Sequence, residues 1–494
     1  MRSWIGILLL LFLVSCKPTV DPPVKGSDLT LKSTVLTPSY TGNGVQWGGY
    51  DIVDLWTGSP SLSENDWNTL FKRVGFMRPP IVRIMTADGW NYVSDGVFDP
   101  EKSEAVLTRI LDFCEETGIT VMFGEWGHRG GDTIDTEWLE MSASFLDWLV
   151  HTKGYTCIRY YNMVNEPNGD WSSTNGNYNL WLSLIDQFYA KMAEKGLTEQ
   201  VAIIGPDVAV WNTGLTSWVT NTHYDLGDKV GAYDIHTYPD QNEVRDGSYG
   251  DMTAAYLEAA PASKIMLMTE LGFKYSAASD LGIENEARED ADPYASDDCN
   301  MFVYDAFYGI DMADAILQNM RAGYEGVIAW DLDDAMYNID GGGSTRLKRW
   351  GFWNILGAEK FGSAADEAIR PWFYTVSLLC RYFPAGTAIL NMDLPDKKGL
   401  RAIAGELDGK YTIAIVNSNY VSYDLNLKTE ENMNLAGMDR YRYTAGKGSS
   451  FTAGTDADGF AVPDSTGFSL ELGPETGFSL TLPGQSFILL TNME

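Results

Sequence analysis

Basic residues are scarce in this chain: 35 Lys and Arg stand against 68 Asp and Glu in 494 residues, a formal charge of −33. Neutralising phosphates needs clustered cations, so the balance speaks against a nucleic-acid partner and leaves neutral ligands unrestricted. Cysteine is thin as well. Apart from Cys16, the cysteines are Cys114, Cys157, Cys299 and Cys380, with no Cys-x-x-Cys spacing, and they read as small buried hydrophobes. His128, His151, His223 and His236 show no metal-ligand spacing, so no catalytic metal and no other cofactor is expected. Long apolar runs are missing too. The run from Ile5 to Val14 is too short for a membrane span.

Apolar and aromatic residues are plentiful. The apolar share of 45% lets the chain bury a large core, and its length exceeds one ordinary domain. Sixteen Trp and twenty-six Tyr offer flat faces that can stack on sugar rings or fill a core. The N-terminus reads as an address. Arg2 precedes the short apolar run, and Leu13-Val14-Ser15-Cys16 resembles a bacterial lipobox, which implies cleavage after residue 16's predecessor and lipidation of Cys16. Residues 17–39, with three prolines before Asp28, read as a tether that ends in a strand-like segment, Leu29 to Leu36. The expectation is a lipid-anchored protein of the bacterial cell envelope, periplasmic or outward-facing, touching membrane only through that anchor.

From residue 40 strand and helix signals alternate. Strand-like runs occupy Gly44–Tyr50, Pro80–Met85, Ile119–Phe123, a run opening at Ile158, Val201–Gly205, Val230–Tyr238, Met266–Leu271 and Tyr324–Trp330. Amphipathic patterns lie between them: Ser63 before Glu64 opens one that ends near Gly75, and others cover Glu101–Thr117, Glu137–His151, Tyr178–Lys195, Leu215–Tyr224 and Met301–Met320, with a last one at Pro371–Tyr382. Eight strands alternating with helices predict an α/β fold, a (β/α)8 barrel over residues 40–383. The acidic segment Lys274–Cys299 reads as a solvated surface loop, with a lid or a calcium site as the sharper alternative. From Pro384 the helical patterns stop. Short β-rich runs separated by Gly, Asp and Asn predict an antiparallel β-sandwich over residues 384–494, to which Leu29–Leu36 could add a strand.

Two carboxylates stand where such a barrel keeps its active face. Asn165-Glu166-Pro167 closes the fourth strand run, and Thr269-Glu270-Leu271 closes the seventh. Both resemble the signatures of the retaining (β/α)8 glycosidases of clan A, above all the cellulase-like and mannanase-like family 5. The resemblance implies Glu166 as acid/base and Glu270 as nucleophile, which must come within about 5 Å of each other. It further implies that Arg83 supports the nucleophile, that Asn165 bonds the sugar 2-hydroxyl, that His236-Thr237-Tyr238 is the sixth strand's His-x-Tyr, and that Trp330 floors the sugar subsite. At the end of the third strand Glu125-Trp126 stands where family 5 commonly has a histidine. Trp47, Trp90, Trp126, Trp171, Tyr275 and Trp353 lie at or after strand ends and are candidates for further subsites, as is Glu125 for a sugar hydroxyl.

The expected activity is retaining hydrolysis of β-linked glycans, endo-acting in the family 5 manner. Exo action in the manner of families 30 or 39, which also carry C-terminal β-domains, and a non-catalytic glycan-binding lipoprotein are the alternatives. The expected partner is the glycan, and no obligatory protein partner is evident.

Overall fold

The computed structural model describes residues 27–50, 62–336 and 346–494. The N-terminal apolar run and Cys16 lie outside these residues, and among the described ones no helix is long and apolar enough to cross a membrane. Eight parallel strands close into a barrel in chain order: β1 (Gly42–Gln46), β2 (Ile81–Thr86), β3 (Thr120–Glu125), β4 (Ile158–Asn162), β5 (Ala202–Val210), β6 (Val230–Thr237), β7 (Met266–Leu271) and β8 (Gly326–Ala329). This is the fold the alternating pattern predicts. Side chains alternate across each strand. Ile81, Met122, Ile204, Ala232, Leu267 and Ile328 fill the lumen as an apolar plug, and their sequence neighbours Val82, Val121, Phe123, Ile203, Tyr233 and Val327 join the core shared with the surrounding helices.

The helices begin where short polar side chains can cap them. Ser63 and Asp66 form a reciprocal capping box at the start of Glu64–Met77, and Asp135 and Asn177 cap Thr136–Asp147 and Tyr178–Glu194. The first helix does not end at Gly75 as its sequence suggests; it continues to Met77 because Val74 and Met77 are both buried, and tertiary packing outweighs the low helix propensity of one glycine. The segment Lys274–Cys299 also differs from the expected loop. Residues Asp280–Ala291 form a helix capped by Ser279, with no buried residue. β5 runs past Gly205 to Val210, five residues beyond its predicted end, and β8 is shorter than predicted.

The C-terminal region is one hydrogen-bonded set of ten strands that folds over its own core, antiparallel except where Asp28–Leu31 pairs in parallel with Asn426–Thr429. Asp28–Thr37, ahead of the barrel in sequence, therefore lies inside this domain, beside Ala388–Asp393. Period-two alternation divides its residues between two cores. Ala402, Ala404, Ile413, Ile415, Ile488 and Leu490 face the sandwich interior, whereas Ile403, Ala414, Val416, Phe487 and Leu489 pack into the core of the barrel and its helices. The helices Ala306–Ala322 and Trp372–Arg381 provide the barrel's side of that contact. All four described cysteines are buried and free.

Candidate active site

At the carboxyl ends of the strands lies a cavity of about 660 Å³ whose walls include six tryptophans, Trp90, Trp126, Trp171, Trp211, Trp330 and Trp350. Glu166 and Glu270 both open into it. One oxygen of each and one nitrogen of His236 all lie within 4.8 Å of one another.

Glu270 reaches the lumen through an irregularity in β7. Leu267 points inward, so strict alternation would turn Thr269 inward and Glu270 out. Met268 pairs with Ile235, and Glu270, two residues on, pairs with the very next residue, His236. This bulge leaves Thr269 bonded to Asp234 and brings Glu270 to the lumen as well. There the Arg83 guanidinium donates to its Oε2 at 2.6 Å, and the Tyr238 hydroxyl donates to its Oε1. Arg83, fully buried two residues above the apolar plug on β2, also donates to Asn165 at 2.7 Å and to Asp207 at 3.2 Å. The donors surrounding Glu270 fix the orientation of its carboxyl group, one on each oxygen.

Glu166 follows the end of β4 in a left-handed conformation (φ +48°). Asn168 holds this loop to β5 with two bonds to Ala209, at 2.8 and 2.9 Å. Trp171 donates its indole N–H to Glu166 Oε2 at 2.7 Å, and His236 Nδ1 lies 3.1 Å from Oε1. Alternation along β6 stacks Ala232, Asp234, His236 and Tyr238 on the lumenal face, which is why the His-x-Tyr spacing delivers both rings to the site.

Asp207 is the residue that sequence reasoning missed. A second bulge, where Gly205 pairs with Tyr233 and Val208 with Ile235, turns it inward with φ +57°. Fully buried, it accepts from Arg83, from His236 Nε2 at 2.9 Å and from Asn162 at 2.8 Å. Burial alone would raise its pKa, but the charges of His236 and Arg83 outweigh it and hold the carboxyl well below the usual range. Burial likewise opposes a charged His236, and the carboxylates of Asp207 and Glu270 overcome it, pushing the imidazole up to about 10. Burial, reinforced by the Asp207 charge, raises Asp234 well above an ordinary carboxyl. Two metal-sized groupings of ligand atoms exist here, Glu166–His236–Glu270 and Asp207–Asp234–His236. The donor set suits a cation poorly, because Arg83 already supplies positive charge to Glu270 and Asp207, and His236 is held as an imidazolium with no lone pair to give.

The other predicted residues divide by strand phase. Trp126 and Trp330 lie on the lumenal side, edge to face at 6.0 Å, and Asn165 and Trp171 line the cavity with them. Trp47 and Glu125 do not. Trp47 shares the outward phase of Val45 and is fully buried against Phe71 and Phe113, so it is a core residue. Glu125 shares the outward phase of Phe123; its Oε1 accepts from Tyr92 at 2.8 Å and from Ser142 and Tyr161, away from the cavity, and burial pushes its pKa up to about 8. Trp353 and Tyr275 are also packed inside, Trp353 donating to Asp333 and Tyr275 lying against Phe302. Among lining residues not foreseen are Trp211, which follows the extended β5, and Lys274, Asp298, Lys348 and Trp350, from the segments after β7 and β8. Trp211 would have been found by letting β5 continue past Pro206.

No protein-family model matches the sequence, and no curated protein matches it. Solved structures do share its fold. A family 30 subfamily 8 xylanase from Clostridium acetobutylicum superimposes with a TM-score of 0.59 at 15% identity, over 94% of this chain and 99% of that one. An endo-β-1,6-glucanase does so with 0.57 at 14%, over 94% of each chain. A family 39 β-xylosidase from Caulobacter crescentus gives 0.58 at 14%, over 94% and 99%. At such identities the likeness is one of fold: this chain has the barrel and C-terminal β-domain architecture seen in those glycoside hydrolases.

Proposed function

We propose that this chain is a retaining glycoside hydrolase acting on β-linked glycans. The observation that carries the reading is the approach of Glu166 and Glu270 to within 4.8 Å in one tryptophan-lined cavity. Retention requires its two carboxyl groups about 5 to 5.5 Å apart, whereas inversion needs about 6.5 to 9.5 Å to admit a water between them.

In this reading Glu270, oriented by Arg83 and Tyr238, attacks the anomeric carbon while Glu166 gives its proton to the departing glycosidic oxygen. The bond from anomeric carbon to that oxygen breaks as the bond to Glu270 forms. Water then enters, Glu166 takes its proton, and the resulting hydroxide displaces Glu270 with a second inversion. Asn165, held by Arg83, is placed to bond the sugar 2-hydroxyl as charge develops, and Trp330 stacks beneath the ring. The fold likeness to family 30 and 39 enzymes, each extending over the C-terminal domain, supports kinship with those families more than with family 5. The lipobox at Cys16 supports anchorage to the bacterial envelope, to be checked by incorporation of labelled palmitate and its loss in Cys16→Ala.

The test is product analysis with protein lacking residues 1–16, on a panel that includes β-1,4-xylan, β-1,4-glucan, β-1,4-mannan and β-1,6-glucan with their oligosaccharides. Sugar release by the wild type and loss of at least a thousandfold in Glu270→Gln is expected. Binding without release would move the reading to a glycan-binding scaffold.

A further inference from the structure

Trp211 stands where two recesses meet. It follows Val210 at the end of β5, is 47% exposed, and forms part of the wall of the catalytic cavity. On its other side it borders an open recess of about 330 Å³, with Asn212, Ser248, Asp251 and Met252. Trp171, 57% exposed, meets Trp211 edge to face at 5.9 Å and 80°. Every other described tryptophan is better covered by protein. Two adjacent indoles left this open beside a cavity form a surface suited to an apolar ring face.

The chemistry assigns this surface a side of the bond being broken. The group that protonates a leaving oxygen lies against the leaving sugar, and Trp171 is bonded to Glu166 through its indole N–H at 2.7 Å. Glu270 is held from elsewhere, by Arg83 on β2 and Tyr238 after β6. Sugars that depart with the protonated oxygen therefore pass over Trp171 and then Trp211. The recess beyond carries Glu243 and Asp251 and no Lys or Arg. Glu243 is committed to capping the helix Gln241–Asp246, Asn212 Oδ1 accepts from the Gly214 N–H, and Ser248 donates to the Glu243 carbonyl, which leaves the Asp251 carboxylate and the Asn212 amide N–H groups for sugar hydroxyls. Acidic sugars would meet like charge there.

We propose that Trp171, Trp211 and the recess past them are leaving-group subsites for two or more uncharged sugar residues, so that the enzyme cleaves within a chain and gains catalytic efficiency from sugars on the leaving side. The inference rests on the glycosidase reading and adds the direction, length and charge of the bound chain.

The experiment compares kcat/KM for the reducing-end-labelled hexasaccharide of the cleaved polysaccharide with that for the 2,4-dinitrophenyl β-glycoside of the same sugar. The ratio of the two removes effects common to both substrates. Trp211→Ala should lower it at least tenfold. Ser248→Trp, an exposed position whose new ring would fill the recess, should lower it similarly. An unchanged ratio in both variants overturns the proposal, as does a wild type that gains nothing from leaving-side sugars while still hydrolysing the aryl glycoside. In those two cases the glycosidase reading stands. Absence of turnover on both substrates would remove that reading and this inference together.

Discussion

Asp207 gathers four groups on one carboxylate: the arginine on the nucleophile, the imidazole between the two glutamates, the Asn162 amide and, at 3.4 Å, the Glu166 backbone N–H. Its charge holds His236 as an imidazolium despite complete burial. In Asp207→Asn the main force raising the imidazole is lost. On the proposed reaction kcat should fall about a hundredfold, the loss expected when catalytic groups shift by about 1 Å. Nitrogen NMR of His236 near pH 8 should then show a neutral ring in place of an imidazolium, a change that a purely structural role would not produce.

Glu125 offers a cleaner test of burial. Its folded-state pKa is raised from 4.5 to about 8, so its contribution to stability is complete below pH 4.5 and is lost as pH rises toward 8, where the unfolded chain has released the proton and the folded chain has not. Glu125→Gln should match wild type at pH 4.5 and exceed it by a few kcal/mol above pH 8. Urea denaturation across that range measures the difference, and parallel curves would show that the carboxyl ionises freely in the fold.

At the scale of the element, the segment after β8 is held by buried charge. Asp334 accepts from the backbone N–H groups of Trp350 and Gly351 at 3.0 and 2.8 Å, and pairs with Arg349 and Arg370. Arg349 and Arg370 also reach Asp366, at 2.8 and 3.6 Å. This network sets Trp350 in the cavity wall, with its indole N–H on the Asp298 carbonyl at 2.7 Å. Asp334→Ala would leave two buried guanidinium groups short of a partner and two backbone donors unsatisfied, a loss of about 3 to 5 kcal/mol. Calorimetry should record a clear drop in Tm, with Trp350 fluorescence shifting toward that of a wetter indole.

The two bulges belong to the same scale. One extra residue in β5 and one in β7 reverse the local phase, and each turns a carboxylate, Asp207 or Glu270, into the lumen. Their effect is to put two acids opposite Arg83 on β2, where regular strands would have faced them into the helical layer.

At the scale of the whole molecule, the barrel and the C-terminal sheet share a core. Ile403, Val416, Tyr443 and Phe487 lie in the same apolar cluster as Met312, Ile316 and Val376 of the barrel's helices. Polar contacts cross the same boundary: Ser418 donates to the buried Asp314 at 2.5 Å, Arg401 lies 3.5 Å from that carboxylate, and Tyr443 donates to the Ala306 carbonyl at 2.7 Å. Cutting the chain after Phe383 would bare that apolar face and strip Asp314 of Ser418 and Arg401, leaving it only the Gln318 amide. The full-length protein should unfold in one calorimetric transition, and the isolated barrel should aggregate. Two separate transitions would show that the halves fold independently.

Much of this organisation is legible in the sequence because periodicity is a local property. Apolar spacing marks the eight strands and their helices, and the triplets at residues 165–167 and 269–271 place an acid at the ends of the fourth and seventh. The spacing of His236 and Tyr238 foretells one shared face, since two residues of an unbroken strand always share one. Strand phase was harder to read. Trp47 and Glu125 sit one position from lumenal residues and so face outward, and a strand's phase is decided by which of its faces the closed barrel encloses. Asp207 is hidden in the sequence because Pro206 looks like a strand end, and only pairing with β6 shows that β5 continues through it. The sequence alone thus determined the elements, their order and the acids at their tips, all encoded within a few neighbouring residues. Tertiary structure alone decided the approach of Glu166 and Glu270 to within 4.8 Å, the inward turn of Asp207 and the meeting of Trp171 with Trp211, because each depends on the register between strands far apart in the chain.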